Sequence, residues 1–246
     1  MKVKVLGCYS PNYELKPVSM YEIELENKII YLDVGYKNAK KIDYNNLEKT
    51  EIIISHNHID HSYGLIGFIK ILKKKKIKLV NKINVYIPMK SGFLKIYELV
   101  KSYDEFFNAI PVNENLIVHI ENIEITFCKT VHKGESYAVK FLDLTKNKSF
   151  VYTSDLAKVT NELIDFSKDS SSIMIDSGHP LKFQPFKLGK YHGYTRDLLN
   201  EIVKAKPGII YLTHYKTYAK EEMFKRYFPK DANIKFVKLN SQYEVI

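Results

Sequence analysis

The sequence predicts an α/β protein whose functional side chains lie at the carboxyl ends of its strands. Two observations lead to this fold class. Short apolar runs rich in isoleucine, valine and tyrosine recur along the chain, and several end in a histidine or an aspartate. Segments with the apolar spacing of helices lie between some of these runs. Ligands gathered at the carboxyl ends of strands are the expected layout of an α/β site.

Length and composition support one folded domain. The chain has 246 residues, 45% of them hydrophobic, which is enough for a substantial core, and no repeat or linker divides residues 1–246. No apolar run approaches the ~18 residues of a spanning helix, and no signal-like leader is present. The two cysteines, Cys8 and Cys128, form no CxxC pair. We therefore expect one domain in a reducing cytoplasm, without a membrane partner.

The chain begins with strand patterns. Residues 2–6 alternate polar and apolar side chains and end at Gly7, which predicts a first strand. Residues 20–25 and 29–32 flank the tight turn Asn27-Lys28 and predict a hairpin. Asp33 follows this hairpin, either as a carboxylate that supports a metal-bound histidine or as a plain turn residue.

The segment from residue 55 to 61, with sequence SHNHIDH, is the densest group of ligand-forming side chains and follows three isoleucines. In extended backbone His56 and His58 point to the same side, so they can converge on one point. Asp60 and His61 then lie on the following turn and can serve a second point. Imidazole and carboxylate are ligands of zinc and similar metals, so the segment predicts a metal site.

Further elements follow in order. Apolar spacing predicts a helix over residues 64–72, which runs into four lysines, Lys73 to Lys76; these are either a solvated helix end or an anion-steering patch. Residues 85–88 are predicted to form a strand, and residues 90–110 are predicted to be mostly helical. Residues 116–120 and 123–130 are predicted to form an antiparallel pair. His119 lies in this pair and is expected on a strand face. Helices are predicted at 161–166, 194–204 and 219–227.

Four later strand-like runs each deliver one ligand-forming side chain. His132 follows the strand at 123–130, Asp155 follows the run 150–152, Asp176 follows 173–175, and His214 follows 209–212. Because these residues lie at strand ends, we expect them to meet near the segment 55–61.

The order HxHxDH, then a later His, a later Asp and a final His resembles the signature of the metallo-β-lactamase superfamily. The resemblance covers almost the whole chain, from the strand ending at Gly7 to His214. It implies an αββα sandwich of two mixed β-sheets flanked by helices. It also implies two divalent metal ions, with zinc expected and manganese or iron left open. The implied ligands are His56, His58 and His132 for one ion, Asp60, His61 and His214 for the other, and Asp155 as the bridge.

Finer motifs resemble the branch that contains tRNase Z and cyclic phosphodiesterases. The strand YLDVG at 31–35, the segment HKGESYAV at 132–139 and HGYT at 192–195 carry this likeness. By resemblance, His192 donates a proton to the leaving group and Asp176 orients it, so Asp60, His192 and Asp176 are expected to be catalytic. His179 is left as a loop residue or a substrate contact.

The resemblance implies a dinuclear metal-dependent hydrolase that uses a metal-bridging hydroxide on a small, cyclic or RNA phosphodiester. The glycine-rich insertion with which tRNA-maturing members clamp tRNA is not seen, so general phosphodiester hydrolysis is expected instead. Two alternatives remain open. One is a carboxylic ester, lactone or thioester hydrolase, and the other is a basic nucleic-acid-binding protein with structural metals, since the formal charge is +10. An anionic small molecule or nucleotide is the expected partner; nucleic acid and homodimer formation stay open.

Overall fold

The protein is an αββα sandwich, in which two mixed β-sheets pack face to face and helices cover their outer surfaces. A computed structural model describes residues 1–11, 16–90, 95–180, 191–216 and 220–246. Within these residues each sheet has seven strands. The predicted fold class is confirmed.

The first sheet contains the amino-terminal strands and one carboxyl-terminal strand. Its members are β1 (Lys2–Gly7), β2 (Met20–Glu24), β3 (Ile29–Leu32), β4 (Thr50–Ile53), β5 (Ile83–Pro88), β6 (Phe107–Val112) and β14 (Gln242–Glu244). The spatial order is β14-β1-β2-β3-β4-β5-β6. Pairing is antiparallel from β14 to β3 and parallel from β3 to β6. The carboxyl ends of β3, β4 and β5 therefore lie along one edge of the sheet.

The second sheet contains the central and later strands. Its members are β7 (Val118–Ile120), β8 (Ile123–Lys129), β9 (Tyr137–Asp143), β10 (Lys148–Tyr152), β11 (Ser172–Asp176), β12 (Ile209–Thr213) and β13 (Ile234–Phe236). They are ordered β13-β12-β11-β10-β9-β8-β7. The strands β10 to β13 are parallel, so β10, β11 and β12 also end along one edge.

Helices cover both outer surfaces. They are α1 (Ile59–Ser62), α2 (Gly64–Lys74), α3 (Ile96–Lys101), α4 (Asn161–Phe166), α5 (Thr195–Ile202) and α6 (Glu221–Lys225). In α2 the residues with helical spacing, Leu65, Phe68, Ile69 and Leu72, are all buried, as predicted. Among the described residues, none of the helices has the length and hydropathy required to span a bilayer.

Three layers of buried side chains hold the sandwich together. The central layer lies between the sheets and joins residues such as Ile23 and Ile53 of the first sheet to Phe141 and Phe150 of the second. A second layer packs Phe68 and its neighbours from α2 and α3 on the first sheet, and a third packs α4 and α5 on the second. Burial of apolar surface in these layers is the main favourable contribution to folding.

The prediction that residues 90–110 are mostly helical is wrong. Only Ile96–Lys101 is helical among the described residues of this segment, and residues 91–94 lie outside the description. The strand β6 begins at Phe107 and pairs in parallel with β5. Pro111 is tolerated because β6 is the edge strand of the sheet. Pairing with β5 therefore outweighs the local helical pattern. Of the helix predicted at 219–227, Glu221–Lys225 is helical, and residue 219 lies outside the description.

Candidate metal centre

The strand ends of the two sheets bring all seven predicted ligands together. His56, His58, Asp60 and His61 follow β4 of the first sheet, whereas His132, Asp155 and His214 follow β8, β10 and β12 of the second. The side chains form two groups that share Asp155, and within each group the ligand-type atoms lie within 4.8 Å of one another. The centre therefore lies where the carboxyl ends of strands from both sheets meet.

The first group contains three imidazoles, those of His56, His58 and His132, together with Asp155. His132 Nδ1 donates to the carbonyl oxygen of Tyr191 at 2.6 Å, which leaves its Nε2 as an acceptor. That Nε2 lies 3.0 Å from His58 Nδ1. His56 Nε2 is buried without a hydrogen-bond partner among the described residues. The three rings thus each bring one nitrogen close to a single point, as a metal site requires.

The second group contains Asp60, His61, Asp155 and His214, all buried. His61 Nε2 lies 3.4 Å from Asp60 Oδ2, and His214 Nε2 lies 2.9 Å from the same oxygen. Asp60 and His61 belong to the short helix α1, whose first turn points both side chains into the centre. This helical turn replaces the simple turn that the sequence predicts.

Asp155 lies between the two groups and presents one oxygen to each. Its Oδ2 is 3.7 Å from His56 Nε2 and 3.8 Å from His132 Nε2. Its Oδ1 is 3.2 Å from both His61 Nε2 and His214 Nδ1. A carboxylate in this position can bind two cations at once, one through each oxygen.

The sequence left Asp33 either as a carboxylate that supports a metal-bound histidine or as a plain turn residue. In the structure it contacts a predicted ligand directly. His61 Nδ1 donates to Asp33 Oδ2 at 2.7 Å, which turns Nε2 towards the centre. The same carboxylate accepts hydrogen bonds from the backbone and hydroxyl groups of Ser55 and from the hydroxyl of Tyr152. Carboxylates that hold the second nitrogen of a ligand histidine fix its tautomer and orientation. Asp33 therefore positions His61 and is more than a turn residue.

Three residues that follow strands into the centre adopt left-handed backbone. Asp33 has φ 58°, Ser154 has φ 58° and His214 has φ 56°. Such conformations cost about 1–3 kcal/mol each in residues other than glycine and persist where surrounding contacts impose them. At these three positions the chain turns sharply from a strand end into the centre.

The electrostatics of the two groups differ. Burial lowers the pKa of His58 to about 4 and the pKa of His56 well below its usual range, so both imidazoles are neutral. Burial also acts to lower the pKa of His214, but the nearby carboxylates of Asp155, Asp60 and Asp176 raise it to about 10. The carboxylates of the second group therefore favour positive charge at this place, which a cation would supply.

The predicted pair His192 and Asp176 lies beside the centre. His192 Nδ1 donates to Asp176 Oδ2 at 2.7 Å, and His192 Nε2 lies 3.8 Å from Asp155 Oδ2. Asp176 is fixed in turn by the backbone N–H groups of Leu156 and Gly178. The ring of His179 lies 5.9 Å from the ring of His192 and does not belong to either group.

Sequence reasoning missed several supporting groups. The Ser154 hydroxyl lies 3.1 Å from His56 Nδ1 and donates to Ser55 Oγ at 2.7 Å. Tyr152 reaches Asp33 across the two sheets, and the Tyr191 carbonyl holds His132. Ser154 directly precedes Asp155 and Tyr191 directly precedes His192, so their positions in the sequence could have identified them as neighbours of the centre. The Tyr152 contact with Asp33 spans 119 residues of sequence and carries no local signal.

The side chains present fit divalent metal ions. His56 Nε2, Asp155 Oδ1 and His214 Nδ1 are buried and make no hydrogen bond among the described residues. Buried polar atoms normally have partners, so these three unsatisfied atoms are consistent with a site for a cation. Nitrogen and carboxylate donors without cysteine suit zinc and similar divalent metals.

The chain is similar to known proteins in sequence and in fold. A probable RNase, MJ4, from Methanocaldococcus jannaschii is 25% identical over 185 residues, which cover 64% of this chain and 41% of the relative. The chain therefore aligns with about two fifths of that relative's length. The metallo-β-lactamase fold protein YhfI from Bacillus subtilis has a TM-score of 0.80 at 20% identity and covers 99% of both chains. The short form of human tRNase Z has a TM-score of 0.73 at 14% identity, with 100% of both chains covered.

The two structural likenesses confirm the metallo-β-lactamase fold that the sequence predicts. The family model described as Anti-Pycsar protein Apyc1 matches residues 19–243, which is most of the chain. The match contains both metal groups and the His192–Asp176 pair. The chain belongs to the Anti-Pycsar protein Apyc1 family.

Proposed function

We propose that this chain is a dinuclear metal-dependent phosphodiesterase that hydrolyses a small, cyclic or RNA phosphodiester. One observation carries the proposal: Asp155 presents one oxygen to each of two ligand groups. In this assignment one zinc ion binds between three imidazoles and the other on the more acidic side. The ligands are those predicted from the sequence: His56, His58 and His132 for the first ion, Asp60, His61 and His214 for the second, with Asp155 shared.

When bound, two such cations supply a water molecule that ionises near neutral pH and positive charge for the phosphoryl oxygens. The chain's own residues hold this arrangement rigid. Asp33 fixes the ring of His61, and the Tyr191 carbonyl fixes that of His132. Because these rings are held before substrate arrives, little reorganisation is needed during the reaction.

His192 is assigned the role of proton donor to the leaving group. Burial acts against its charged form, but Asp176 and Asp155 raise the pKa of His192 above its usual value, so these carboxylates favour the protonated ring. The Nδ1 proton is held by Asp176, and the Nε2 proton faces the centre. Transfer of the Nε2 proton to a departing alkoxide would leave neutral imidazole and an alcohol.

Two further observations agree with this proposal. The relative from Methanocaldococcus jannaschii is a probable RNase and the human structure is a tRNase, and both names denote cleavage of phosphodiester bonds in RNA. The formal charge of +10 favours an anionic substrate. The free, buried thiols of Cys8 and Cys128 suit a reducing cytoplasm, which we include in the proposal.

The primary test is hydrolysis of bis(p-nitrophenyl) phosphate by zinc-loaded protein. His58→Ala and Asp60→Ala remove one ligand from each group and should reduce kcat/KM by at least about 10³-fold, since each metal stabilises developing charge. His119→Ala is the matched control, because His119 is exposed on β7 away from the centre. Full turnover by either ligand variant, or by metal-stripped wild type, contradicts the proposal.

The second test separates phosphodiester from carboxylic ester hydrolysis. Replacing His192 by Ala should slow cleavage of an alkyl phosphodiester about 10²-fold or more, because its alkoxide needs a proton. The effect on bis(p-nitrophenyl) phosphate should be much smaller, since nitrophenolate leaves without one. An equal loss of rate on the alkyl phosphodiester and on bis(p-nitrophenyl) phosphate would show that His192 is not the proton donor. Faster wild-type turnover of a lactone than of either phosphodiester would favour the ester hydrolase instead.

A further inference from the structure

The backbone of His179 is bonded to the loop that carries His192. The N–H of His179 donates to the carbonyl oxygen of Gly193 at 2.9 Å, and its carbonyl oxygen accepts from the N–H of Thr195 at 3.0 Å. These two bonds form a short parallel bridge between His179 and Tyr194. The segment that follows β11 therefore lies directly against the residues that follow His192.

Gly178 sets the direction of this segment. It has φ 62°, and its N–H donates to Asp176 Oδ1 at 2.9 Å. A Cβ added at Gly178 would lie 2.5 Å from the carbonyl oxygen of Gly193. Both the left-handed backbone and the close approach favour glycine at this position. The turn at Gly178 lets one short segment bring two side chains to His192, the carboxylate of Asp176 and the ring of His179.

The ring of His179 packs against the ring of His192. Their centroids lie 5.9 Å apart and their planes are inclined by 79°, an arrangement that aromatic pairs favour. Among the described aromatic side chains, His179 makes a ring contact with His192 alone. The other ring contacts of His192 are with His132 and His214, both proposed metal ligands, at 5.7 Å and 5.1 Å between centroids.

The contact between these two rings is one of packing. The Nε2 atom of His179 is buried, and the ring forms no hydrogen bond with a described residue. Burial and the nearby His192 lower the pKa of His179 below its usual value, which favours the neutral ring. A neutral ring can lie against a protonated imidazole without charge repulsion.

We propose that His179 is a positioning residue for His192. Its ring limits rotation of the His192 ring and so preserves the 2.7 Å hydrogen bond from His192 Nδ1 to Asp176 Oδ2. With Nδ1 held in this way, Nε2 faces the centre. The consequence for catalysis, delivery of the Nε2 proton to the leaving group, rests on the proposed phosphodiester hydrolysis.

Proton exchange at the His192 ring tests the positioning without turnover. Nuclear magnetic resonance on the zinc-loaded protein detects imidazole N–H protons that a hydrogen bond protects, and loss of a signal in His192→Ala assigns the Nδ1 proton. In His179→Ala this proton should exchange with water at least about fivefold faster, since an aromatic pair contributes about that factor. His179→Phe keeps a ring and loses no hydrogen bond, so its exchange should stay slow.

The matched control is His119→Ala, the same substitution at an exposed position of β7, which should exchange at the wild-type rate. The backbone amide spectrum of each variant shows whether it is folded. If His179→Ala does not fold, His179→Gln, which also lacks a ring, takes its place. Unchanged exchange in the variant without a ring, equally fast exchange in His179→Phe, or the absence of a protected His192 proton in wild type overturns the proposal.

A double-variant cycle measures the consequence for the reaction. On an alkyl phosphodiester, His179→Ala should lower kcat about fivefold with KM within twofold of wild type, and it should add no further loss to His192→Ala. Its effect on bis(p-nitrophenyl) phosphate should be small, because nitrophenolate needs no proton. A raised KM at unchanged kcat would make His179 a substrate contact, and losses that multiply in the double variant would show independent action. Either result overturns the proposal.

Failure of the proposed function is seen separately, as absence of bis(p-nitrophenyl) phosphate hydrolysis by zinc-loaded wild type. Proton exchange at His192 is measured in either case, so the two failures are distinguishable.

Discussion

At the scale of single residues, the centre is organised by two carboxylates with different roles. Asp155 lies between both ligand groups. Asp33 belongs to neither group and instead accepts hydrogen bonds from His61, Ser55 and Tyr152. The seven proposed ligands could be picked out from the sequence because four of them lie in one short segment after β4 and the other three each follow β8, β10 or β12. The contact between Tyr152 and Asp33 could not, since it joins residues from different sheets that are 119 positions apart.

Asp33→Asn tests the positioning role of that carboxylate. The amide keeps the shape but cannot accept hydrogen bonds at both side-chain atoms, so the His61 ring loses its fixed orientation. We expect zinc affinity to fall about 10–100-fold, measured by competition with a chromophoric chelator. The control Asp104→Asn changes an exposed carboxylate outside the centre. Zinc affinity within twofold of wild type, in an Asp33→Asn protein with a native circular dichroism spectrum, would refute this role.

At the scale of elements, strands with clear alternation and helices with clear apolar spacing could be predicted from the sequence. Strands that form only because they pair with neighbouring strands could not. The hairpin β2–β3, helix α2 and the pair β7–β8 lie where the alternation and spacing place them. The strand β6 was mistaken for helix, because only its pairing with β5 selects the extended form. The strand β9 was not predicted, since its burial follows from its position between β8 and β10.

The junction of β3 with α2 depends on close backbone contact at Gly64. A Cβ added there would lie 2.5 Å from the carbonyl oxygen of Gly35 and 2.6 Å from that of Val34. In an open helix, glycine to alanine stabilises by about 0.5–1 kcal/mol. Here we expect Gly64→Ala to destabilise instead, because α2 must move away from the turn that carries Asp33.

Chemical denaturation measures this effect, with Gly67→Ala as control in the same helix. At Gly67 the nearest atom to an added Cβ is the side-chain methyl of Ala39 at 3.1 Å, which can shift more easily than backbone. Gly64→Ala should lower the free energy of unfolding by at least about 1 kcal/mol more than Gly67→Ala does. Equal effects of the two substitutions would show that the junction tolerates a side chain.

At the scale of the whole molecule, the metal centre joins the two sheets. Four of the ligands come from the first sheet and three from the second, so bound cations would link them beyond the central apolar layer. We propose, as the sequence predicts, that residues 1–246 act as one domain, with the sandwich and the centre forming together. The αββα architecture could be predicted only through the family signature, because strand patterns alone do not specify how two sheets pack.

The most direct measurement is a metal titration of the purified protein. Protein stripped with a chelator is titrated with zinc while bound metal is counted by elemental analysis and bis(p-nitrophenyl) phosphate hydrolysis is followed. We predict that activity is absent at the start and rises to a plateau at two zinc ions per chain. Asp155→Ala should reach neither two bound ions nor the wild-type activity. A plateau at one ion, or activity that does not depend on zinc, would contradict the central claim.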